Sequence, residues 1–279
     1  MCRVIFGLLL MALTPFSSWA QEQVVPGEID LSMANLRYQD FSHQQFAQGQ
    51  FRGAYLFNAS FEKCDLQEAN FESAQMTLVN LKRADLTRSN LAKAHLTRAN
   101  LYGATLRGAN LFFAQLVEAD LEATELTYAD LTTANLMGAN LTQSFASQGR
   151  FKSANLRYVN FRKANLHEAD FEGADLSGAD LSGADLSKAN LTRANLQNAN
   201  LSEVDLSYAS LREANLSGAL FYKARIYGAI LKEANFSGAD LSEARMSSSP
   251  MLDANFCGAI LPNGKQGACD RQLHQGNRL

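Results

Sequence analysis

The chain is short of nearly everything from which an active centre is usually assembled. Its four histidines, His43, His95, His167 and His274, stand far apart, and no two share a metal-ligand spacing such as HExxH. Gly173, Gly178 and Gly183 recur without a following GK[ST], which excludes a phosphate-cradling loop. Serines are plentiful but lack the context of a nucleophile elbow. The expectation is therefore a protein that is not an enzyme and needs no cofactor or metal. One tryptophan and four prolines suit a single elongated unit. A formal net charge of −3 gives no overall basic field, so no nucleic-acid partner is expected. Beyond the first twenty residues no apolar run is long enough to span a bilayer, so the mature chain should carry no transmembrane segment.

One five-residue pattern fills most of the chain. From Phe171 to Asn190 it reads FEGAD LSGAD LSGAD LSKAN. From near Leu31 to about Leu261 it runs without an inserted or deleted residue. A large apolar residue falls at numbers ending in 1 and 6, a small one at 4 and 9, and Asn or Asp most often at 5 and 0. An α-helix would spread every fifth residue round its axis, and a flat strand would flip successive leucines to opposite faces. A backbone that turns a corner at each repeat satisfies the pattern. Four sides close one square coil, and successive coils stack at roughly 4.8 Å. The lumen takes the large residue and the small one two positions earlier, while Asn or Asp bonds its own backbone at the corner. Phenylalanines one coil apart should then stack: Phe41 on Phe61, Phe51 on Phe71, Phe151 on Phe171, and Phe236 on Phe256.

The A-[DN]-[LF]-x-x unit, strict at Ala134-Asn135-Leu136 and loose at Ala94-His95-Leu96, resembles the pentapeptide repeat family over roughly residues 29 to 261. The resemblance implies an all-β fold, a right-handed quadrilateral β-helix. About twelve coils would make a rod ~55 Å long. It implies little about function, since members of the family have varied roles. Some mimic DNA and protect topoisomerases. That alternative depends on a strongly acidic surface and a cytoplasmic home, whereas this chain is near-balanced in charge.

The domain plan is a cleaved signal peptide at 1–20, an N-terminal tail at 21–28, the repeat at 29–261 and a C-terminal tail at 262–279. Arg3, the apolar run Val4 to Leu13, the Thr14-Pro15 break and Ser18-Trp19-Ala20 carry the signal. The expected location is outside the cytoplasm: periplasmic or secreted, or the thylakoid lumen in a photosynthetic source. The 21–28 tail is placed to seal the first coil, because an open β edge invites association. Gln39, Gln44 and Gly49 occupy small-residue slots near Leu31 to Phe71, which suggests a loose end. Cys64 takes another such slot and should be a quiet buried thiol.

The outward slots follow each large residue by one and two. Lys82, Arg83, Arg88, Lys93, Arg98 and Arg107 make a basic band, followed by an acidic one from Glu118 to Asp130, and the alternation repeats. Mixed signs suit a solvated surface. Phe57, Leu78, Phe112, Phe113, Val117 and Met137 also point outward and form a candidate partner strip, because exposed apolar strips mark interaction sites. Leu220, Tyr222, Tyr227 and Ile230 form a second apolar group, a candidate for self-association into a homodimer. At Ser144 to Arg150 the pattern lapses. Phe145 takes a corner and Ala146 a central slot, which predicts a local bulge or bend with Phe145 covering the gap. Met246 to Pro250 breaks it again, since proline donates no ladder bond. Cys257 and Cys269 are expected to join after export and clip the tail over the last coil. Asp175, Asp180 and Asp185 face different ways; the nearest stacked carboxylates are Asp185 and Asp205, without the calcium β-roll signature. The reading reached is an exported rod, structural or protein-binding, whose partner the sequence does not name.

Overall fold

Nearly every described repeat begins as a tight turn. Ala134 N–H donates to Leu131 O at 3.0 Å, and Thr133 between them has φ 57°. Positive φ at the third turn residue is what a type II turn takes. It recurs along the chain, on glycines such as Gly138 and equally on Leu78, Lys93 and Phe113. Corner residues then pair one coil on. Asp130 bridges Arg150 in parallel, with Leu131 N–H donating to Arg150 O at 2.7 Å and Arg150 N–H to Ala129 O at 2.9 Å. A computed structural model describes residues 29–269, and the expected leader and N-terminal tail lie outside them.

The same pairing of residue i with i+20 runs from Asp30 with Gln50 to Asp240 with Ile260, so the chain winds as a right-handed quadrilateral β-helix. Its first side is centred on Leu31, Phe51 and Phe71, its second on Leu36, Leu56 and Met76, its third on Phe41 and Phe61, and its fourth on Phe46 and Leu66. From Phe51 to Leu241 the large residues are 0% exposed, and the alanines between them close the lumen. The four expected phenylalanine pairs stack, at 5.1 Å for Phe41 on Phe61, 4.7 Å for Phe51 on Phe71, 4.8 Å for Phe151 on Phe171 and 4.9 Å for Phe236 on Phe256. Those spacings are the rise of one coil.

Corner amides add a second ladder outside the lumen. Asn135 Oδ1 accepts the N–H of Met137, while Nδ2 of Asn155 donates to the same oxygen at 2.9 Å. The chain of amides continues from Asn195 to Asn215, Asn235 and Asn255. Each amide thus fixes its own turn and ties it to the coil before.

The lapse at Ser144 to Arg150 does not bulge. Phe145 keeps its bridges to Glu125 and Asn165 and is 51% exposed, so it covers nothing. Ala146 is fully buried in its central slot, and the Phe151 ring lies against Gly149 as Phe51 lies against Gly49, so that a Cβ at either glycine would stand 3.0 Å from the ring. Gln39 and Gln44 are exposed, as a loose first coil requires, while Gly49 is buried.

Pro250 leaves the Ile230 corner without its forward bridge. The Ser249 hydroxyl repairs the turn below, donating to Ile226 O at 2.6 Å and accepting from Ala229 N–H at 3.2 Å. Beyond Ile260 the chain reverses and pairs antiparallel at Gln266. Gly267 O accepts from Gly258 N–H at 3.0 Å, the bond a further coil would have made, and Cys269 is disulfide-bonded to Cys257.

Candidate functional site

The square coil decides which outward residues can meet. Phe112 and Phe113 follow Leu111 on the first side; Phe57, Leu78, Val117 and Met137 lie on the second. The corner row between the two sides is Tyr55, Gln75, His95, Gln115 and Asn135. All six strip residues therefore flank one edge of the rod. Phe112 and Phe113 pack edge to face at 4.6 Å and are 37% and 48% exposed. Leu78 and Met137 are exposed, while Phe57 and Val117 are half-buried. The edge extends toward the first coil through Met33 and Tyr38, which the sequence reading passed over. Met33 lies on Gly53, and Tyr38 meets Phe57 edge to face at 5.5 Å.

Two shallow concavities lie along this edge. One runs from Met33 and Arg37 past Tyr55 and Phe57 to Thr77. The other is formed by Lys93, His95, Thr97, Phe113 and Gln115. Arg37 stacks over the Tyr55 ring at 5.0 Å, and among the described residues no carboxylate pairs with it.

The basic and acidic bands girdle the rod instead of facing one way. Lys82 and Arg83 lie on the third side, Arg88 and Arg107 on the fourth, Lys93 on the first and Arg98 on the second. Two of these six meet a carboxylate one coil away, Arg88 with Glu68 at 2.8 Å and Arg98 with Glu118 at 3.7 Å, and in the next basic band Arg150 meets Asp130 at 3.2 Å and Lys152 meets Glu172 at 3.0 Å. Such exposed pairs offset the bands only in part.

The proposed self-association group does not form one patch. Leu220 sits at the corner of the second and third sides, and Ile230 half a coil later at the opposite corner. Tyr222 goes with Leu220, and Tyr227 with Ile230. Tyr227 meets Tyr208 edge to face at 5.3 Å. Two small groups on opposite flanks replace the single surface that neighbouring sequence numbers suggested.

Twenty-residue spacing also assembles a constellation that reading along the chain missed. His167 Nδ1 lies 2.8 Å from Ser187 Oγ, and its Nε2 lies 3.3 Å from Glu168 Oε1. Hydrogen bonds from Gln148 and Lys188 hold Glu168 below the usual carboxylate range. The set has the members of a hydrolytic triad but not its direction. Ser187 donates to Asp185 Oδ1 at 2.6 Å, so toward the imidazole it accepts, opposite to what a nucleophile needs. Cys64 is equally unsuited to chemistry. Its buried thiol donates to Phe41 O at 2.9 Å, and burial pushes it up to about 11. Among the described residues no group of three His, Cys, Asp or Glu could hold a metal ion, and no helix is long and apolar enough to cross a membrane.

Family comparison fits this geometry. The profile for pentapeptide repeats matches in eight copies between residues 29 and 262, and a second, for a pentapeptide repeat region, covers 54–131. The chain belongs to the pentapeptide repeat family. Among solved structures, this pentapeptide repeat chain is similar to HetL of Nostoc sp. PCC 7120, described as involved in heterocyst differentiation regulation. The identity is 31%, over 95% of this chain and 100% of that one, with a TM-score of 0.28. A pentapeptide repeat protein of the Arabidopsis thaliana thylakoid lumen is 29% identical over 46% of this chain and 71% of its own, with a TM-score of 0.14. Full-length QnrB1, a plasmid-mediated fluoroquinolone resistance protein, is 17% identical over 82% and 92%, with a TM-score of 0.28. The family assignment rests on the repeat profiles and not on these superpositions. No curated protein matches the chain.

Proposed function

We propose that this pentapeptide repeat chain is an exported rod that works by binding another protein and carries out no chemistry of its own. The observation that carries the reading is the apolar edge, where Phe112 and Phe113 pack edge to face and are exposed together with Leu78 and Met137. Export draws its support from the leader-like first twenty residues and from a Cys257–Cys269 pairing suited to an oxidising compartment. Finding both thiols free in secreted, non-reduced protein would remove that support.

The binding reading is tested by affinity capture from the exporting compartment with the native chain and a Phe112→Ser, Phe113→Ser variant. A protein retained by the first and lost by the second is the expected result. Identical captures, or none, would leave the rod a spacer. Size-exclusion of a Leu220→Asp, Tyr227→Ser variant tests the homodimer separately; an unchanged elution volume removes those residues from any dimer contact.

A further inference from the structure

The charges along the apolar edge do not cancel. Between Leu31 and Asn140 the outward slots of the first and second sides hold four cations, Arg37, Arg52, Lys93 and Arg98, but only two carboxylates, Glu72 and Glu118. Arg52 takes Glu72 at 3.5 Å and Arg98 takes Glu118 at 3.7 Å. The corner row between the sides holds no acid. Arg37 and Lys93 therefore remain without a carboxylate among the described residues, on an acidic chain of net charge −3. Each of the two stands in one of the concavities, beside apolar neighbours: Arg37 by Tyr55 and Phe57, and Lys93 by Phe113.

Resting on the binding role proposed above, we infer that the edge takes a linear acidic segment of a partner protein, with two units of one carboxylate and one bulky apolar side chain. Less than three coils separate Arg37 from Lys93, ~13 Å along the axis. An extended peptide needs about four residues for the axial distance alone, and Arg37 and Lys93 stand on adjoining sides, so the two acids should recur at about that interval or a little more. The carboxylates meet the guanidinium and the ammonium, and the apolar side chains settle against Phe57 and Phe113. A second copy of this chain does not suit the edge. Two-fold pairing would lay the same cationic surface against itself, and like charges in contact oppose association.

The test uses the full chain with its disulfide intact and a random twelve-residue peptide library displayed on phage. Selected peptides are then titrated against the native chain, an Arg37→Glu, Lys93→Glu variant and a Phe57→Ser, Phe113→Ser variant. Enrichment of Asp or Glu with Phe, Trp or Leu is expected. Affinity should fall about tenfold or more on either variant, and weaken between low and high salt as charge contacts are screened. Peptides without acidic bias, or indifferent to charge reversal but lost on the phenylalanine variant, overturn the acidic partner and leave the binding role standing. Peptides indifferent to both variants, or no enrichment, overturn both. A dimer in sedimentation that the charge reversal abolishes would instead assign the edge to a second copy. All four positions are outward slots, so native melting temperatures in both variants keep the comparison clean.

Discussion

Ser89 and Ser144 occupy slots that alanine fills in most repeats, and each buries a hydroxyl with no partner among the described residues. Thr124 escapes the same cost by donating to Leu121 O at 2.6 Å. A buried hydroxyl left unpaired costs about 1–3 kcal/mol. Ser144→Ala should therefore raise the melting temperature in a thermal scan, and a lower one would mean that the hydroxyl has a partner after all. Charge in the lumen is a heavier burden. Leu131 is fully buried and Lys93 is exposed, so Leu131→Lys should unfold neighbouring coils while Lys93→Glu leaves the melt almost unchanged. Equal melts would contradict the inside and outside assignment. Acid should weaken the rod. Hydrogen bonds from Ser32 and Ser42 lower the carboxyls of Asp30 and Asp40. Burial raises that of Asp205, but bonds from Ser207 and the Arg225 guanidinium outweigh it, and the group ends below its ordinary 3.8. A carboxyl lowered in the native state stabilises above its unfolded value and loses that contribution as pH falls through the native one. Urea midpoints should be lower at pH 3 than at pH 7, and Asp205→Asn should narrow the difference. At this scale the sequence was informative where the slot alone decides: Cys64, the leucines and the corner amides. It could not show which lumen hydroxyls find a carbonyl, because that depends on a rotamer.

Among the described residues the C-terminal cap departs furthest from the repeat. The turn beyond Ile260 brings Gly267 so close to the last coil that a Cβ there would lie 1.9 Å from Phe256 O. Gly267→Ala should push the strap off. The Cys257–Cys269 bond closes a loop of sequence separation 12. Loops of that size add about 2–4 kcal/mol when cross-linked. Because repeats lean chiefly on their neighbours, the loss should stay local. In hydrogen exchange, Gly267→Ala should expose the amides near Gly258 and Ile260 while those near Leu131 stay protected. Uniform loss along the rod would show that the coils unfold as one. The paired cysteines were foreseeable from their count and from the leader-like start of the sequence. The antiparallel return was not, since residues 262–269 carry no periodicity. Likewise the arrest at Pro250 could be read from the missing donor, whereas the repair by Ser249 depends on where its hydroxyl lands in three dimensions.

For the whole molecule, almost the entire architecture was legible, because a period of five admits few backbones and the phenylalanine pairs confirmed the length of a turn. The surface was harder to read. Residues distant in the sequence, such as Phe57 and Met137, share an edge, while Leu220 and Ile230, close in sequence, stand on opposite flanks. Neighbourhood on this rod is counted in whole coils, and a reading made along the line finds it only by chance. The uninterrupted register has a consequence for how such a gene can change. Gaining or losing one repeat between Leu78 and Phe112 would keep large and small residues in their lumen slots and still swing all that follows through a quarter turn. The altered protein would fold soundly with its face scrambled. Only changes by a complete turn keep every outward residue on its own side.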